Sequence, residues 1–548
     1  MKAKTTFIIG LLLSAAIIHL PSYAAIKKET IRTPATRNFL FIENNTDNNF
    51  FITPLDALDP RLTGSNRWTG LKATDKQHSG QQSLGYVDPG KLVTISKNEY
   101  VDMWLDNAPI SHPFLGLRCI NWYKSCNLDS GMISPQSTDQ YGFYGSFRPD
   151  AAGGIWGHAL LADSVYYYVK QISPGSALEL TVNICRTKEQ YDAARGQRCK
   201  DQNSGEWLAG QITHIKDAHL RLNNTNSMSE VFINSDGIPL LGEGNTDCHT
   251  IVLNNKSGLV CKMVSYSLEA NKTNSRIRIN PSINNPALSA AIDSRRDFQF
   301  SLNGTAWRNL SSGTKYFTLD DMKGSDSLYI FMSADFFKQM VKLGIADANT
   351  RDLFNIQFRN TLSPESGWYE FSTSTALIIK PRDFGVSIIS EDYQLNPHRD
   401  GKVEKNAEPL NFDYIVTTSG KTAADQVLIS VTGPAGSVKG KPYCIFSSPD
   451  NKVKVPFPAY LTFTTQKGRQ VENAPCDGIW HDMTNALWAA APWTDISGDA
   501  GLLNKTNVTF SIPMDNKISE RTVDDIGWYG DVSASGKIHV RATWRNVK

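Results

Sequence analysis

The chain has 548 residues, and its 56 basic and 54 acidic side chains leave a formal net charge of +2 at pH 7. A nearly neutral chain without a basic tract lacks the electrostatic footprint of a protein that binds nucleic acid or anionic lipid. Its length predicts three or four domains of ordinary size, at roughly 100–200 residues each.

The first 24 residues have the pattern of a secretory signal peptide. Lys2 and Lys4 form a basic start, an apolar run covers residues 7–20, and Ser22-Tyr23-Ala24 supplies a small-residue cleavage site. The apolar run is too short for a stable membrane anchor. We therefore expect cleavage after Ala24, export through the periplasm and a mature protein that is soluble.

Short strands separated by turn signals dominate the rest of the chain. Apolar or alternating runs at residues 39–42, 178–182 and 508–512 are typical of strands. The pattern predicts an all-β protein of tandem immunoglobulin-like β-sandwich domains with a few short helices. Shifts in pattern place the boundaries near 220 and 380, which gives a signal peptide at 1–24 and domains at 25–220, 221–380 and 381–548.

Two segments have helical spacing of apolar residues. One is predicted from His158 to Lys170. The other begins after Ser333, a good N-cap residue, and ends at Gly344. Both helices are expected to pack against sheets and to have no functional role.

Eight cysteines behind a signal peptide indicate disulfide bonds in an oxidising compartment. No CxxC motif occurs, so the cysteines favour structural disulfides over a zinc site, and no cofactor is predicted. The predicted pairs join neighbours in the sequence: Cys119 and Cys126, Cys185 and Cys199, Cys248 and Cys261, Cys444 and Cys476.

Aromatic residues are densest between residues 141 and 168, where they could stack on sugar rings. Core packing is the alternative, because aromatic side chains bury large areas in β-sandwiches. Three consecutive tyrosines at 166–168 cannot all point inward, so at least one is expected to be exposed. The receptor-binding candidates from this region are Tyr144, Trp156, Tyr166 and Tyr167.

The sequence offers little for catalysis. It lacks a Walker A loop, a GxSxG nucleophile elbow and an HExxH motif. The carboxylate pair of a glycoside hydrolase is defined by spacing in three dimensions, so a secreted glycan-processing enzyme stays as a distant alternative. The chain is predicted not to be an enzyme.

The last predicted strand alternates strictly from residue 538 to residue 544. Ile538, Val540, Ala542 and Trp544 face one side, and polar residues face the other. An edge strand with an apolar face is a liability unless another strand covers it. We expect these four side chains to line an apolar groove or core.

Several long sequence segments carry a family resemblance across essentially the whole mature chain. They lie at residues 59–64, 66–72, 116–123, 230–237, 366–371, 415–425 and 511–516. In these segments the chain closely resembles the tip adhesins of the enterobacterial common pilus, also called the Mat fimbria. Departures fall in the signal peptide, the polar N-terminus and residues 74–82, and they touch no cysteine.

The resemblance implies a fimbrial subunit assembled by the chaperone–usher route and displayed at the pilus tip on the cell surface. It implies that residues 381–548 form a pilin-like domain, an incomplete sandwich that a donor strand completes. The implied partners are the major pilin, a periplasmic chaperone, an outer-membrane usher and a host-cell or glycan receptor. The implied activities are attachment to host cells, biofilm formation and support of pilin assembly.

The segment from Ala25 to Arg37 is a poor donor strand, because polar and basic residues are mixed and Pro34 removes a ladder hydrogen bond. This favours a terminal position in the fibre. Ile26 and Ile31 could still anchor a short strand, in which case the protein could self-polymerise. A minor structural pilin or assembly initiator without its own receptor is therefore the alternative function.

Overall fold

The computed structural model describes residues 25–31, 36–55, 62–67, 85–88, 94–119, 132–149, 155–242, 244–272, 274–311, 315–360, 367–494 and 500–545. The predicted signal peptide lies outside these residues. Strands predominate, as the sequence predicts, and the helices are short.

The first group of strands forms the N-terminal sandwich. They are β1 (Lys28–Ile31), β2 (Arg37–Asn44), β3 (Phe50–Pro54), β4 (Leu62–Ser65), β5 (Tyr86–Val87), β6 (Thr94–Ile95), β7 (Glu99–Asp106), β8 (Phe114–Cys119), β9 (Met132–Ile133), β10 (Ser137–Thr138), β11 (Gly142–Arg148), β12 (Ile155–Leu161), β13 (Ala177–Thr187) and β14 (Glu206–Asn223).

The second group forms the middle region. They are β15 (Met228–Ile233), β16 (Pro239–Leu241), β17 (Cys248–Leu253), β18 (Lys256–Ala270), β19 (Arg276–Ile283), β20 (Phe298–Ser301), β21 (Arg308–Asn309), β22 (Tyr316–Thr318), β23 (Ser327–Ser333), β24 (Ala348–Asn349), β25 (Phe354–Asn360), β26 (Tyr369–Phe371) and β27 (Ala376–Pro381).

The third group forms the C-terminal sandwich. They are β28 (Gly385–Ser390), β29 (Leu410–Gly420), β30 (Gln426–Thr432), β31 (Ala435–Val438), β32 (Lys441–Ser447), β33 (Lys454–Phe457), β34 (Tyr460–Thr465), β35 (Gly468–Asn473), β36 (Asp477–Asp482), β37 (Ala489–Thr494), β38 (Ala500–Ile512) and β39 (Lys537–Thr543).

The helices lie between these strands. The α-helices are α1 (Asp163–Gln171), α2 (Pro286–Ala291), α3 (Leu319–Lys323), α4 (Ala334–Lys342) and α5 (Thr350–Leu353), and single 3₁₀ turns occupy Ala193–Arg195, Cys199–Asp201 and Lys517–Glu520.

One of the two helix predictions is confirmed and the other is wrong at its start. The Ser333 hydroxyl accepts the Phe336 amide at the beginning of α4, as an N-cap should. The helix predicted from His158 begins only at Asp163, because residues 155–161 form β12. This strand has antiparallel neighbours on both edges, β8 on one side and β5 and β6 on the other. Long-range pairing thus decides the backbone conformation there.

The N-terminal sandwich has two layers around one apolar core. In the first layer β13 pairs with β7 and β14, and β7 also pairs with β11. In the second layer β12 pairs with β5, β6 and β8. Buried apolar side chains from both layers and from α1 fill the space between them.

The longest strand, β14, joins the N-terminal and middle regions. One of its edges pairs first with β13 and then with β18, while the other pairs first with β1 and then with β2. The boundary predicted near residue 220 falls inside this strand. Leu220 and Leu222 therefore share a buried core with Leu259 and Ile277 of the middle region.

The C-terminal sandwich packs a large sheet against smaller ones. The large sheet has the order β28-β29-β38-β34-β35, with β37 also paired to β38. Opposite it lie the three-stranded sheets β36-β30-β39 and β31-β32-β33, with a separate apolar core. Among the described residues, no helix is long and apolar enough to span a membrane.

Three of the four predicted disulfides are present in the described residues. They join Cys185 to Cys199, Cys248 to Cys261 and Cys444 to Cys476, with Cα–Cα distances of 5.8, 4.1 and 5.1 Å. The predicted pair of Cys119 and Cys126 cannot be compared, because Cys126 lies outside the described residues.

Candidate receptor cleft and subunit groove

Three of the four aromatic receptor candidates have described side chains, and these three lie in different environments. Tyr167 is 41% exposed, whereas Tyr144 is 6% exposed and Tyr166 is fully buried. The structure describes only the backbone of Trp156, which pairs with Thr94. The side chains of Tyr144, Tyr166 and Tyr167 therefore do not form one surface.

The expectation that Tyr166 contacts a receptor is corrected. Helix α1 turns this side chain into the core, where its ring stacks on Phe50 with centroids 6.3 Å apart. Burial raises the pKa of its hydroxyl well above the ordinary value. The prediction that at least one of the three tyrosines is exposed is confirmed by Tyr167.

Tyr144 lines a cleft of about 450 Å³ on the N-terminal sandwich, which we call the aromatic cleft. The end of β7, the turn before β11 and the segment around Cys199 form its walls. Its lining residues are Asp102, Trp104, Leu105, Asp106, Asn107, Tyr141, Tyr144, Arg198 and Lys200.

Aromatic rings form the floor of the aromatic cleft. Trp104 stacks on Tyr144 with ring centroids 6.4 Å apart, and it also meets Trp207 at 5.6 Å. The Arg198 guanidinium lies 3.9 Å above the centre of the Tyr144 ring, a cation–π arrangement. The floor is therefore rigid and mostly buried, while Tyr141 at the rim is 51% exposed.

Carboxylates orient these floor residues. Asp106 accepts hydrogen bonds from the Trp104 indole at 3.1 Å and from the Asn183 amide at 2.8 Å. Asp139 accepts one from the Tyr144 hydroxyl at 3.1 Å. Because each ring with a polar group is held by an acceptor, the floor is set before any ligand arrives.

Buried Asp102 ties the wall segments together. Its carboxylate accepts the Gly145 and Cys199 backbone amides, both at 2.7 Å, and the Tyr191 hydroxyl at 2.5 Å. Burial raises the pKa of Asp102 to about 6, although these hydrogen bonds oppose the rise. Together with the Cys185–Cys199 disulfide, this carboxylate holds Arg198 and Lys200 at the mouth of the cleft.

Sequence reasoning missed most of the aromatic cleft. Tyr141 lies in the aromatic-rich stretch and could have been selected there. Trp104, Asp106 and Arg198 have no local signal, since their sequence positions are far from Tyr144. The β7–β11 pairing brings the end of β7 to Tyr144, and Asp102 and the Cys185–Cys199 disulfide bring the segment that carries Arg198. Among the described residues, no cluster of three or more histidine, cysteine or carboxylate side chains could hold a metal ion.

The second candidate site lies along β39 in the C-terminal sandwich. Ile538, Val540 and Ala542 are half-buried against the C-terminal core, and the alternate residues of the strand are exposed. Among the described strands, β39 pairs only with β30, and β28 pairs only with β29. Both strands are thus sheet edges, and we call the space between them the subunit groove.

One end of the subunit groove is closed by an aromatic contact. The rings of Phe384 and Trp544 meet edge to face, with centroids 5.6 Å apart. The Trp544 indole also donates a hydrogen bond to the Thr422 carbonyl at 3.1 Å. Trp544 therefore lies past the end of β39 and bridges the two sheets, whereas the other three predicted residues line the strand.

The N-terminal segment is docked on its own sandwich. Strand β1 runs parallel to β14, pairing Lys28 with Trp207. Ile26 is 8% exposed beside Trp104 and Tyr144, and its amide donates to the Lys200 carbonyl at 3.1 Å. The backbone and the apolar anchor of residues 26–31 are therefore already used within the chain.

Tandem β-sandwiches with intradomain disulfides and two open edges in the last sandwich define a class of disulfide-bonded, multi-domain β protein. Three family models match successive parts of the chain. The E. coli common pilus adhesin EcpD N-terminal domain matches residues 26–220, the EcpD middle domain 224–376 and the EcpD C-terminal domain 383–542.

Curated relatives match over nearly the whole length. The protein named Fimbria adhesin EcpD in Escherichia coli strain K12 is 56% identical over 526 residues, which is 96% of this chain and 96% of that protein. The protein of the same name in Escherichia coli O157:H7 has the same identity and coverage. The chain therefore belongs to the EcpD family of common pilus adhesins, a family of fimbrial adhesins and not of enzymes.

Two solved structures give weaker similarities. CfaE, the adhesive subunit of CFA/I fimbria of enterotoxigenic Escherichia coli, is 9% identical with a TM-score of 0.19, covering 58% of this chain and 97% of that one. A CsuC–CsuE chaperone–tip subunit complex from Acinetobacter baumannii is 8% identical with a TM-score of 0.18, covering 57% and 97%. The family assignment depends on the sequence matches alone.

Proposed function

We propose that this protein is the tip adhesin of a chaperone–usher common pilus, exported to the cell surface, where it attaches the fibre to host cells and supports biofilm formation. Membership of a fimbrial adhesin family over 96% of the chain is the observation that carries the proposal. Its N-terminal sandwich would carry the receptor surface, and its C-terminal sandwich would join the fibre.

The subunit groove supports the assembly half of this proposal. A strand added between β28 and β39 could pair its backbone with an unpaired edge on each side. Its apolar side chains would pack on the C-terminal core beside the half-buried Ile538, Val540 and Ala542. Backbone hydrogen bonds would supply affinity, and the alternating apolar side chains would set the register. We propose that a chaperone strand, and then a strand of a neighbouring pilin, occupies this groove.

Cα atoms of β28 and β39 come within 8 Å of each other. A strand that pairs with both neighbours needs about 4.8 Å on each side, or roughly 10 Å between them. Insertion therefore requires the two edges to move apart and the contact between Phe384 and Trp544 to open.

The docked N-terminus supports the terminal position. A subunit inside a fibre must give a strand to its neighbour, whereas residues 28–31 here pair with β14 and Ile26 is buried. Giving this segment away would break those contacts. We therefore favour the tip over the alternative of a minor pilin, and over self-polymerisation through this segment.

We also propose three domains, with boundaries near 220 and 380. The three family matches and the separate C-terminal core support this division. The first two domains share β14 and part of one core, so they would act as one rigid arm that presents the aromatic cleft.

Immunogold electron microscopy of piliated cells tests the tip position, with antibody raised against residues 25–380. We expect gold particles only at fibre ends. Particles along the shaft would instead support a minor pilin that donates a strand. Particles confined to the periplasm of cells with normal pili would overturn the adhesin proposal.

A further inference from the structure

We propose that the aromatic cleft is the receptor site and that its ligand is a saccharide. This inference rests on the proposed adhesin function, and it goes further by naming the site and the chemical class of its ligand.

The shape of the aromatic cleft suits one or two sugar rings. Its volume of about 450 Å³ lies within the range of small-ligand sites, roughly 300–1,000 Å³. Tyr141 stands at its rim with half of its surface exposed, although large aromatic rings are normally buried in such a sandwich. An exposed ring face beside a cleft can receive the apolar C–H face of a pyranose.

The polar groups of the cleft suit a ligand with several hydroxyl groups better than a ligand with a single charged group. The Asp106 carboxylate accepts hydrogen bonds, the Lys200 ammonium donates them, and the Asn107 side chain does both. A sugar hydroxyl is both donor and acceptor, so neighbouring hydroxyls can use all three. A lipid chain would cover the Asn107 and Lys200 side chains without offering them a hydrogen bond, at a cost in free energy, and the carboxylates disfavour a nucleic-acid backbone.

The cleft is preorganised for binding. The Cys185–Cys199 disulfide and the hydrogen bonds to Asp102 fix the segment that carries Arg198 and Lys200. The Trp104 and Tyr144 rings are held by Asp106 and Asp139. Binding would therefore cost little ordering of the protein, which matters for a ligand that makes mostly weak contacts.

Two substitutions remove ligand contacts and leave the floor of the cleft in place. Tyr141→Ala deletes the exposed ring. Asn107→Gly deletes the amide at a residue with φ of 54°, a conformation that glycine adopts without strain. Tyr529→Ala is the matched control, because this tyrosine is fully exposed on the C-terminal sandwich and does not line the cleft.

The purified full-length mature protein and the three variants would be applied to an array of immobilised neutral and sialylated oligosaccharides. Adhesion of piliated cells carrying each variant would be measured in parallel at equal pilus number. We expect the wild type to bind at least one oligosaccharide. Tyr141→Ala should weaken that binding and adhesion by about tenfold, the effect of losing a stacking contact of ~1.4 kcal/mol. Asn107→Gly should weaken both, and Tyr529→Ala neither.

Different outcomes would count against the saccharide site and against the adhesin function on which it rests. Oligosaccharide binding that neither cleft variant weakens would overturn the assignment of the site. Adhesion that depends on Tyr141 without any oligosaccharide binding would overturn the saccharide. Normal adhesion by cells whose pili lack this protein altogether would overturn the adhesin function itself.

Discussion

At the residue scale, Lys216 shows how a buried charge can stabilise a helix end. Its ammonium group is buried and donates hydrogen bonds to the Val169 and Ile172 carbonyls, at 2.8 and 2.7 Å, where α1 ends. Burial and the nearby Arg221 lower the pKa of Lys216 to about 8. This one side chain satisfies the Val169 carbonyl in the last turn of the helix and the Ile172 carbonyl just beyond it.

Lys216→Met should lower the free energy of unfolding by about 2–3 kcal/mol, because it leaves those buried carbonyls without a donor. Chemical denaturation followed by tryptophan fluorescence measures the change. Lys262→Met on the exposed face of β18 is the control and should have little effect. Equal stability of the two variants would refute this role for Lys216.

The environment of the neighbouring Glu43 predicts how the stability of the protein depends on pH. Its carboxylate is held by His219 at 2.8 Å and by Lys170 at 2.7 Å. Burial alone would raise the pKa of Glu43, but these hydrogen bonds outweigh it and lower the pKa to about 2. Lys216 and Arg221 both donate toward Nδ1 of His219, so this histidine is neutral and carries its proton on Nε2.

A lowered pKa means that the folded state prefers the charged carboxylate. The contribution of Glu43 to stability is therefore complete above about pH 4.5 and is lost as the pH falls toward 2. Glu43→Gln should flatten the loss of stability in that window, whereas Glu29→Gln on the exposed part of β1 should not. Unfolding curves at several pH values between 7 and 2 check this, and parallel curves for wild type and Glu43→Gln would count against it.

At the element scale, the proposed insertion of a donor strand depends on β39. Val540→Lys places a charge on the half-buried face of the subunit groove, where a donor strand would have to bury it. We expect this variant to be absent from pili. His539→Lys, one residue earlier on the exposed face, is the matched control and should assemble normally.

The measurement is the amount of each variant in purified pili relative to the amount in the periplasm. Circular dichroism and formation of the Cys444–Cys476 disulfide show whether the C-terminal sandwich has folded. A folded Val540→Lys protein that appears in pili at the wild-type level would eliminate the groove as the site of strand insertion.

At the scale of the whole molecule, β14 couples the N-terminal and middle regions. Because it pairs with β13 and β1 and then with β18 and β2, neither region can lose this strand without the other. The C-terminal sandwich has its own core and meets the middle region through smaller apolar clusters. We therefore expect two unfolding transitions, not three.

Calorimetry of two core variants tests this coupling. Leu220→Ala, at the shared core, should lower the free energy of unfolding of the N-terminal and middle regions by about 2–5 kcal/mol. This is the usual range for a large-to-small core change. Val416→Ala, in the C-terminal core, should shift only the other transition. Three separate transitions in the wild type would contradict the coupling.

Local pattern was informative wherever near neighbours decide the structure. Ser333 predicted the start of α4, and the strict alternation at residues 538–542 predicted which face of β39 packs on the core. Three disulfides join cysteines that are neighbours in the sequence. The long sequence segments also indicated the adhesin family, which the curated relatives confirm.

The tertiary structure alone decided features that depend on distant pairing. The spacing of apolar residues could not show that His158 belongs to a strand, because the strand forms through pairing of β12 with β5, β6 and β8. It could not distinguish the buried Tyr166 from the exposed Tyr167, because the position of α1 on the sheets sets which ring enters the core. The aromatic cleft is the clearest case: β7, β11 and the Cys185–Cys199 segment meet only after folding, so the sequence by itself determined the strands and the family, while long-range packing determined the site.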